Sequence, residues 1–174
     1  MEKINKKIPL YNISRRASTD EDRVSLLTNK KFCKDDPDAV IAVFGVLANT
    51  IIRMFLDGKI EKQEFTDYAE MVLAPIMETY EHTEHMNTRL ETELLYQTEV
   101  NFCYLSKQKS STEQMKELMS GLWDAFCFSK ETILDIWGKE PAKFRGASDQ
   151  ERETMKIQCS SFIIFVQNEK DEDY

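Results

Sequence analysis

The segment "DDPDAVIAVFGVLANTIIRMFLDG" reads as one helix with apolar side chains all the way round. Asp36 can accept hydrogen bonds from a first turn, and Pro37 suits the first helical position, where a missing N–H costs nothing. From Ala39 to Leu56, the residues Val40, Ile41, Val43, Phe44, Val46, Leu47, Ile51, Ile52 and Phe55 cover every side. Such a helix must be wrapped by its neighbours. The uninterrupted apolar run, Ala39 to Ala48, is shorter than a bilayer requires, so a central core helix is expected rather than a membrane span.

The neighbours should be helical too. Five Gly and four Pro in 174 residues are too few for the turns of an all-β fold. A second helix is expected from Glu61 to Ala74, and Pro75 should start or kink the next one. From Ile76 the pattern runs to Ser106 without a breaker. Ile76, Tyr80, Leu90, Leu94 and Leu105 share a face with Thr83, Asn87, Thr98 and Asn101. That sparse, half-polar stripe suits a helix at the edge of the bundle, or one that pairs with a second chain. Ser111, with Gln114 three residues on, can cap a helix whose inner face is Met115, Leu118, Met119, Leu122 and Phe126. Ser129 can cap a short helix from Glu131 to Trp137, stopped by Gly138. Ser148 with Glu151 forms a capping box for a last helix that turns Met155, Cys159, Phe162, Ile163 and Val166 inward. The expectation is an all-α, single-domain bundle of about five to six helices over residues 36–168. A flexible or loosely docked arm, 1–35, leads into it, and a short acidic tail, 169–174, ends the chain.

Charge is uneven. Lys3, Lys6, Lys7, Arg15 and Arg16 against Glu2 give the first 17 residues +4, so the remainder of a chain at −8 carries −12. An acidic body repels nucleic-acid phosphates, which leaves the basic arm as the one segment suited to them. Cys33, Cys103, Cys127 and Cys159 show no paired spacing and read as small buried hydrophobes. With no apolar signal segment at the start, the expected address is the cytoplasm.

The string "RMFLDGKIEKQEF" resembles the second half of an EF-hand calcium loop. Asp57, Gly58, Ile60 and Glu64 fall at loop positions 5, 6, 8 and 12. Positions 1 and 3 fall on Arg53 and Phe55, which cannot coordinate Ca²⁺. A helix–turn–helix accounts for the same residues: Gly58 closes the central helix in the left-handed conformation and Ile60 packs back.

Metal-ligand residues cluster in "METYEHTEHM", where Glu78, Glu81, His82 and His85 would span an arc of roughly 100° on a continuous helix. That set could hold zinc or iron, but the arc lies opposite the apolar stripe and faces water. Both histidines of the chain are in this patch, so nucleophilic catalysis finds no partner elsewhere, and no glycine-rich phosphate loop or other cofactor motif is present. "GLWDAFCFSKETILDIWG" supplies aromatics, of which Trp123, Phe128 and Trp137 are the candidate anchors for a partner. The expected function is a non-enzymatic protein–protein interaction module: an adaptor, accessory or inhibitor protein. Its partner is another protein or a second copy through the 76–106 helix. The two alternatives are a metal-binding helical protein or metalloenzyme using the His82/His85 carboxylate cluster and a nucleic-acid-associated regulator using the arm.

Overall fold

The computed structural model describes residues 37–80, 84–107, 112–136 and 148–169. Among them are seven α-helices and no strand: α1 (Pro37–Leu56), α2 (Lys62–Tyr68), α3 (Ala74–Thr79), α4 (Glu84–Lys107), α5 (Thr112–Asp124), α6 (Asp149–Gln158) and α7 (Ser160–Asn168). Two wider π-helical segments, Ala69–Leu73 and Thr132–Ile136, join them. The protein is all-α, as its scarcity of turn residues demands. The arm, the Ser111 cap, Gly138 and residues 170–174 of the tail lie outside the described residues.

Helix α1 is the axis. It packs most extensively along α4 and also touches α2, the first π segment and α5. Phe44, Leu47, Ala48, Ile51, Ile52 and Met54 are fully buried, and only a strip through Ala42 and Val46 reaches solvent. Its ten-residue apolar run understates its length. By length and composition alone the whole helix could cross a membrane, but 67% of its most apolar window is buried against the bundle, as in a core helix.

The turn after α1 forms as its residues require. Gly58 has φ 76, Lys59 and Ile60 donate to the Met54 carbonyl at 2.9 and 3.4 Å, and Ile60 is buried. Glu64, which would be the last calcium ligand, instead accepts from the Glu61 backbone N–H at 3.5 Å in a reciprocal capping box that starts α2. A carboxylate committed to a cap of α2 leaves the loop resemblance without its bidentate ligand.

Four helices depart from expectation, the short one expected over Glu131–Trp137 being π-helical over Thr132–Ile136. The stretch Glu61–Ala74 does not run as one α-helix: at Ala69–Leu73 it widens, and the Ala74 N–H reaches back to the Ala69 carbonyl. Pro75 causes this, because its ring would clash with the carbonyl four residues earlier in a regular α-helix. The stretch from Ile76 to Ser106 is broken as well. Helix α3 ends at Thr79, whose hydroxyl bonds back to the Pro75 carbonyl at 2.8 Å, and Tyr80 leaves helical geometry with φ −112 and ψ 14. The last helix has a smaller interruption at Cys159 (φ −96, ψ 13), between α6 and α7. Its inner face survives: Met155, Cys159, Phe162 and Val166 are buried and Ile163 is packed against them. The Ser148 hydroxyl accepts from the Glu151 N–H at 3.2 Å, as a capping residue should.

Helix α4 is central rather than peripheral. Met86, Leu90, Leu94, Leu95 and Phe102 are buried, and so are Glu91, Thr98, Glu99 and Asn101. Three of its buried polar side chains bond within the chain. Thr98 donates to the Leu94 carbonyl, Asn101 donates to Asn49 of α1 at 2.9 Å, and Glu99 receives Arg152 of α6. Of the half-polar stripe, Thr98 and Asn101 are thus bonded within the chain.

Candidate functional site

Helices α2, α5 and α7 enclose the cleft of interest. Helix α5 approaches α2 closely because Gly121 sits under the Phe65 ring, where a Cβ would come within 2.9 Å of ring carbons. Helix α7 meets α5 through an edge-to-face contact of Trp123 and Phe162, with centroids 6.3 Å apart and planes at 78°. Between the three lies an open cleft of about 370 Å³, lined by Lys62, Lys116, Ser120, Trp123, Asp124, Ser161, Phe162 and Phe165. Phe162 is its buried floor and Trp123 a half-buried wall, while Lys62, Lys116, Asp124 and Phe165 stand in solvent at the margin.

Phe165 is 50% exposed, and Ile164 beside it 55%. Seven residues earlier, on the separate helix α6, Ile157 is 66% exposed. Ser161, Ile164 and Phe165 follow the i, i+3, i+4 spacing of one face of α7. Helix α7 therefore has an inner apolar face and a second, outward one. "SSFIIFVQN" contains no charged residue, and its five consecutive apolar side chains cannot all point inward. That signal is readable in the string, and an inner-face reading alone passes over it.

Beyond the cleft, α5 ends in an unusual way. The spacing places Phe126 on the inner face of α5, yet its ring is 83% exposed and its backbone is left-handed, with φ 61. The Cys127 N–H bonds the Leu122 carbonyl and the Phe126 N–H bonds the Trp123 carbonyl, both at 3.0 Å. This is a Schellman closure with phenylalanine where glycine is usual, and the buried pair Leu122 and Cys127 secures it. The left-handed step turns the chain before the ring can reach the core.

The other sequence candidates are dispersed. Glu78 is exposed on α3 and His85 is exposed on α4, on opposite sides of the helix break, so the continuous arc they were to share does not exist. Glu81 and His82 lie outside the described residues, among which no group of three metal-ligating side chains occurs. Of the candidate anchors, Trp123 lines the cleft, Phe128 is buried in the core and Trp137 lies outside the described residues. Lys3, Lys6, Lys7, Arg15 and Arg16 also lie outside them.

Perturbed ionisable groups sit elsewhere, in structural roles. Burial pushes the Glu91 carboxyl above its usual range, against the lowering effect of hydrogen bonds from the Ser129 backbone and side chain and from Thr132. Ser129 in turn caps the second π segment, its hydroxyl accepting from the Thr132 N–H at 3.2 Å. Burial raises the Cys127 thiol to about 12 and the Cys159 thiol to about 11, so both are inert hydrophobes. Cys103, half-buried, points its sulfur at the Glu151 carboxylate. None of these groups lines the cleft.

No protein-family model, curated protein or solved structure matches the chain.

Proposed function

We propose that this protein is a non-enzymatic interaction module that binds protein through the outer face of α7 and the aromatic cleft beside it. One observation carries the reading: bulky apolar side chains are held in solvent around a concave aromatic surface. Phe165 and Ile164 project from α7, and Phe126 lies two residues past the cleft residue Asp124. Exposed aromatic anchors beside a pocket are the usual energetic centre of a protein interface. The chemistry of the lining agrees, being two lysines, two serines, one aspartate and three aromatic rings with neither histidine nor cysteine. Such a set grips and orients; it offers no activated nucleophile.

Photo-crosslinking tests the reading. A benzophenone side chain is placed at position 165, or at position 71 as a control, since Met71 is 68% exposed on the first π segment. In cells of the native source, position 165 should crosslink to protein, whether another copy or a different chain, and position 71 should not. No crosslink at 165, or equal crosslinking at both positions, overturns the proposal.

A further inference from the structure

The occupant of this face can be argued from its charge. We infer that a second copy of the chain covers it, in a two-fold dimer where Phe165 and Ile164 of each protomer enter the cleft of the other. The inference rests on the interaction reading above and adds the identity of the partner.

In an isologous contact every side chain near the axis meets its own kind, so a charged patch repels itself. A chain with net charge −8 can pair with its copy only where charge is absent or balanced. The outer face of α7 provides the first condition, with no charged residue from Ser160 to Asn168. The cleft margin provides the second. Lys62 and Lys116 stand with Asp124, both signs at one rim, so the two-fold can set Asp124 of each protomer against a lysine of the other. An acidic foreign segment would be served by the lysines and opposed by Asp124; a second copy uses all three.

Shape agrees as well. A projection and a hollow lie side by side, the arrangement that lets two copies exchange knobs reciprocally. At roughly 200 Å² for a whole large side chain, the exposed parts of Ile164 and Phe165 present on the order of 200 Å² as the projecting knob, and the lining of the facing cleft is covered with them.

Sedimentation equilibrium of the full chain over a hundredfold concentration range provides the test. The expected result is twice the mass of one chain, with dissociation on dilution. Phe165→Lys places a cation against the partner's lysines. At about thirtyfold for an anchor residue, entering twice by symmetry, it should raise the dimer Kd about a thousandfold. Met71→Lys should leave the Kd unchanged. Asp124→Lys should weaken the homodimer, and mixing it with the Lys62→Asp/Lys116→Asp variant should restore a mixed dimer. A chain that stays monomeric throughout overturns the inference, as does a dimer indifferent to Phe165→Lys. A monomer whose residue 165 still crosslinks to a different protein overturns the self-pairing and leaves the interaction reading standing. A monomer that Phe165→Lys makes thermally less stable assigns the face to the chain's own residues instead, and likewise overturns it.

Discussion

At the end of α5 the chain places a phenylalanine in a backbone position that a glycine would occupy without strain. Phe126 has φ 61 and an 83% exposed ring, so it bears the left-handed cost and recovers nothing from burial. Phe126→Gly should therefore stabilise the fold by about 1 kcal/mol. In thermal unfolding that corresponds to a rise of roughly 2–4 °C for a chain this size. The same variant should weaken association through the neighbouring cleft. A strained, exposed ring kept at a stability cost is expected where it serves binding, and a variant that gained no stability would remove that argument. Glu91 carries a separate, pH-dependent signature. Its carboxyl is raised first by burial and slightly by the charge of Glu131, against hydrogen bonds from Ser129 and Thr132. The folded protein thus holds this proton to higher pH than the unfolded chain does. Stability from this group is full below the ordinary glutamate value of about 4.3 and is lost as pH rises through the raised value. Glu91→Gln stays neutral, so the stability of wild type minus that of the variant should fall with rising pH across that window. A flat difference in urea unfolding series would show that Glu91 titrates normally.

Helix contacts turn on two glycines that look alike in the sequence and differ in the structure. Gly121 lies under the fully buried Phe65 ring, 2.9 Å from where a Cβ would sit, and that ring has no room to retreat. Gly121→Ala should cost about 1–3 kcal/mol through overpacking between α2 and α5. Gly45 faces the tip of Glu93 on α4, a half-buried carboxylate that accepts from Gln97 at 2.9 Å and can swing aside. There the gain in helix propensity, about 1 kcal/mol, offsets the adjustment, and Gly45→Ala should stay close to wild type in urea midpoint. Equal losses at both sites would contradict the close approach at Gly121. The same contrast explains which elements are legible in the sequence. Gly58, Ser129 and Ser148 act within three or four residues of themselves, so their turns and caps are written in short strings. The helix end at Tyr80 has no glycine or proline within it, and the left-handed Phe126 is a residue that local preference argues against. The left-handed step is held by the closure between the buried Leu122 and Cys127 around it. At the candidate site, Trp123 stands out as an aromatic anchor, but Phe165 does not, because the stripe through Phe162 and Val166 already accounts for its helix and hides the second face.

The molecule as a whole is organised by a helix that is both core and polar. Helix α4 lies along α1 with Glu91, Thr98, Glu99 and Asn101 buried, a set that would be costly beside a purely apolar neighbour. Three of them are answered from different elements: Glu91 by the Ser129 cap, Asn101 by α1, and Glu99 by α6. The Glu99–Arg152 pair is the most demanding, since both side chains are almost wholly buried and Arg152 Nε and Nη2 each lie 2.7 Å from Glu99 Oε1. Desolvating both ions consumes most of what their attraction returns, so the pair need not add net stability, yet it leaves little tolerance for the loss of one member. Arg152→Met alone should cost about 3–5 kcal/mol, because it removes one member of a buried ion pair. Adding Glu99→Leu should recover most of that loss, and the double variant should approach or exceed wild type in urea unfolding. If the single and double variants lost equal stability, the pair would be acting through the packing of its arginine stem rather than through charge. The cycle also tests the path to the binding face. Arg152 anchors α6, and α7 continues from it after the single interruption at Cys159. An unfolded or shifted α6 would carry Ile164 and Phe165 away from the cleft. Arg152→Met should therefore weaken dimerisation without altering any residue of the face, and the double variant should restore it together with stability.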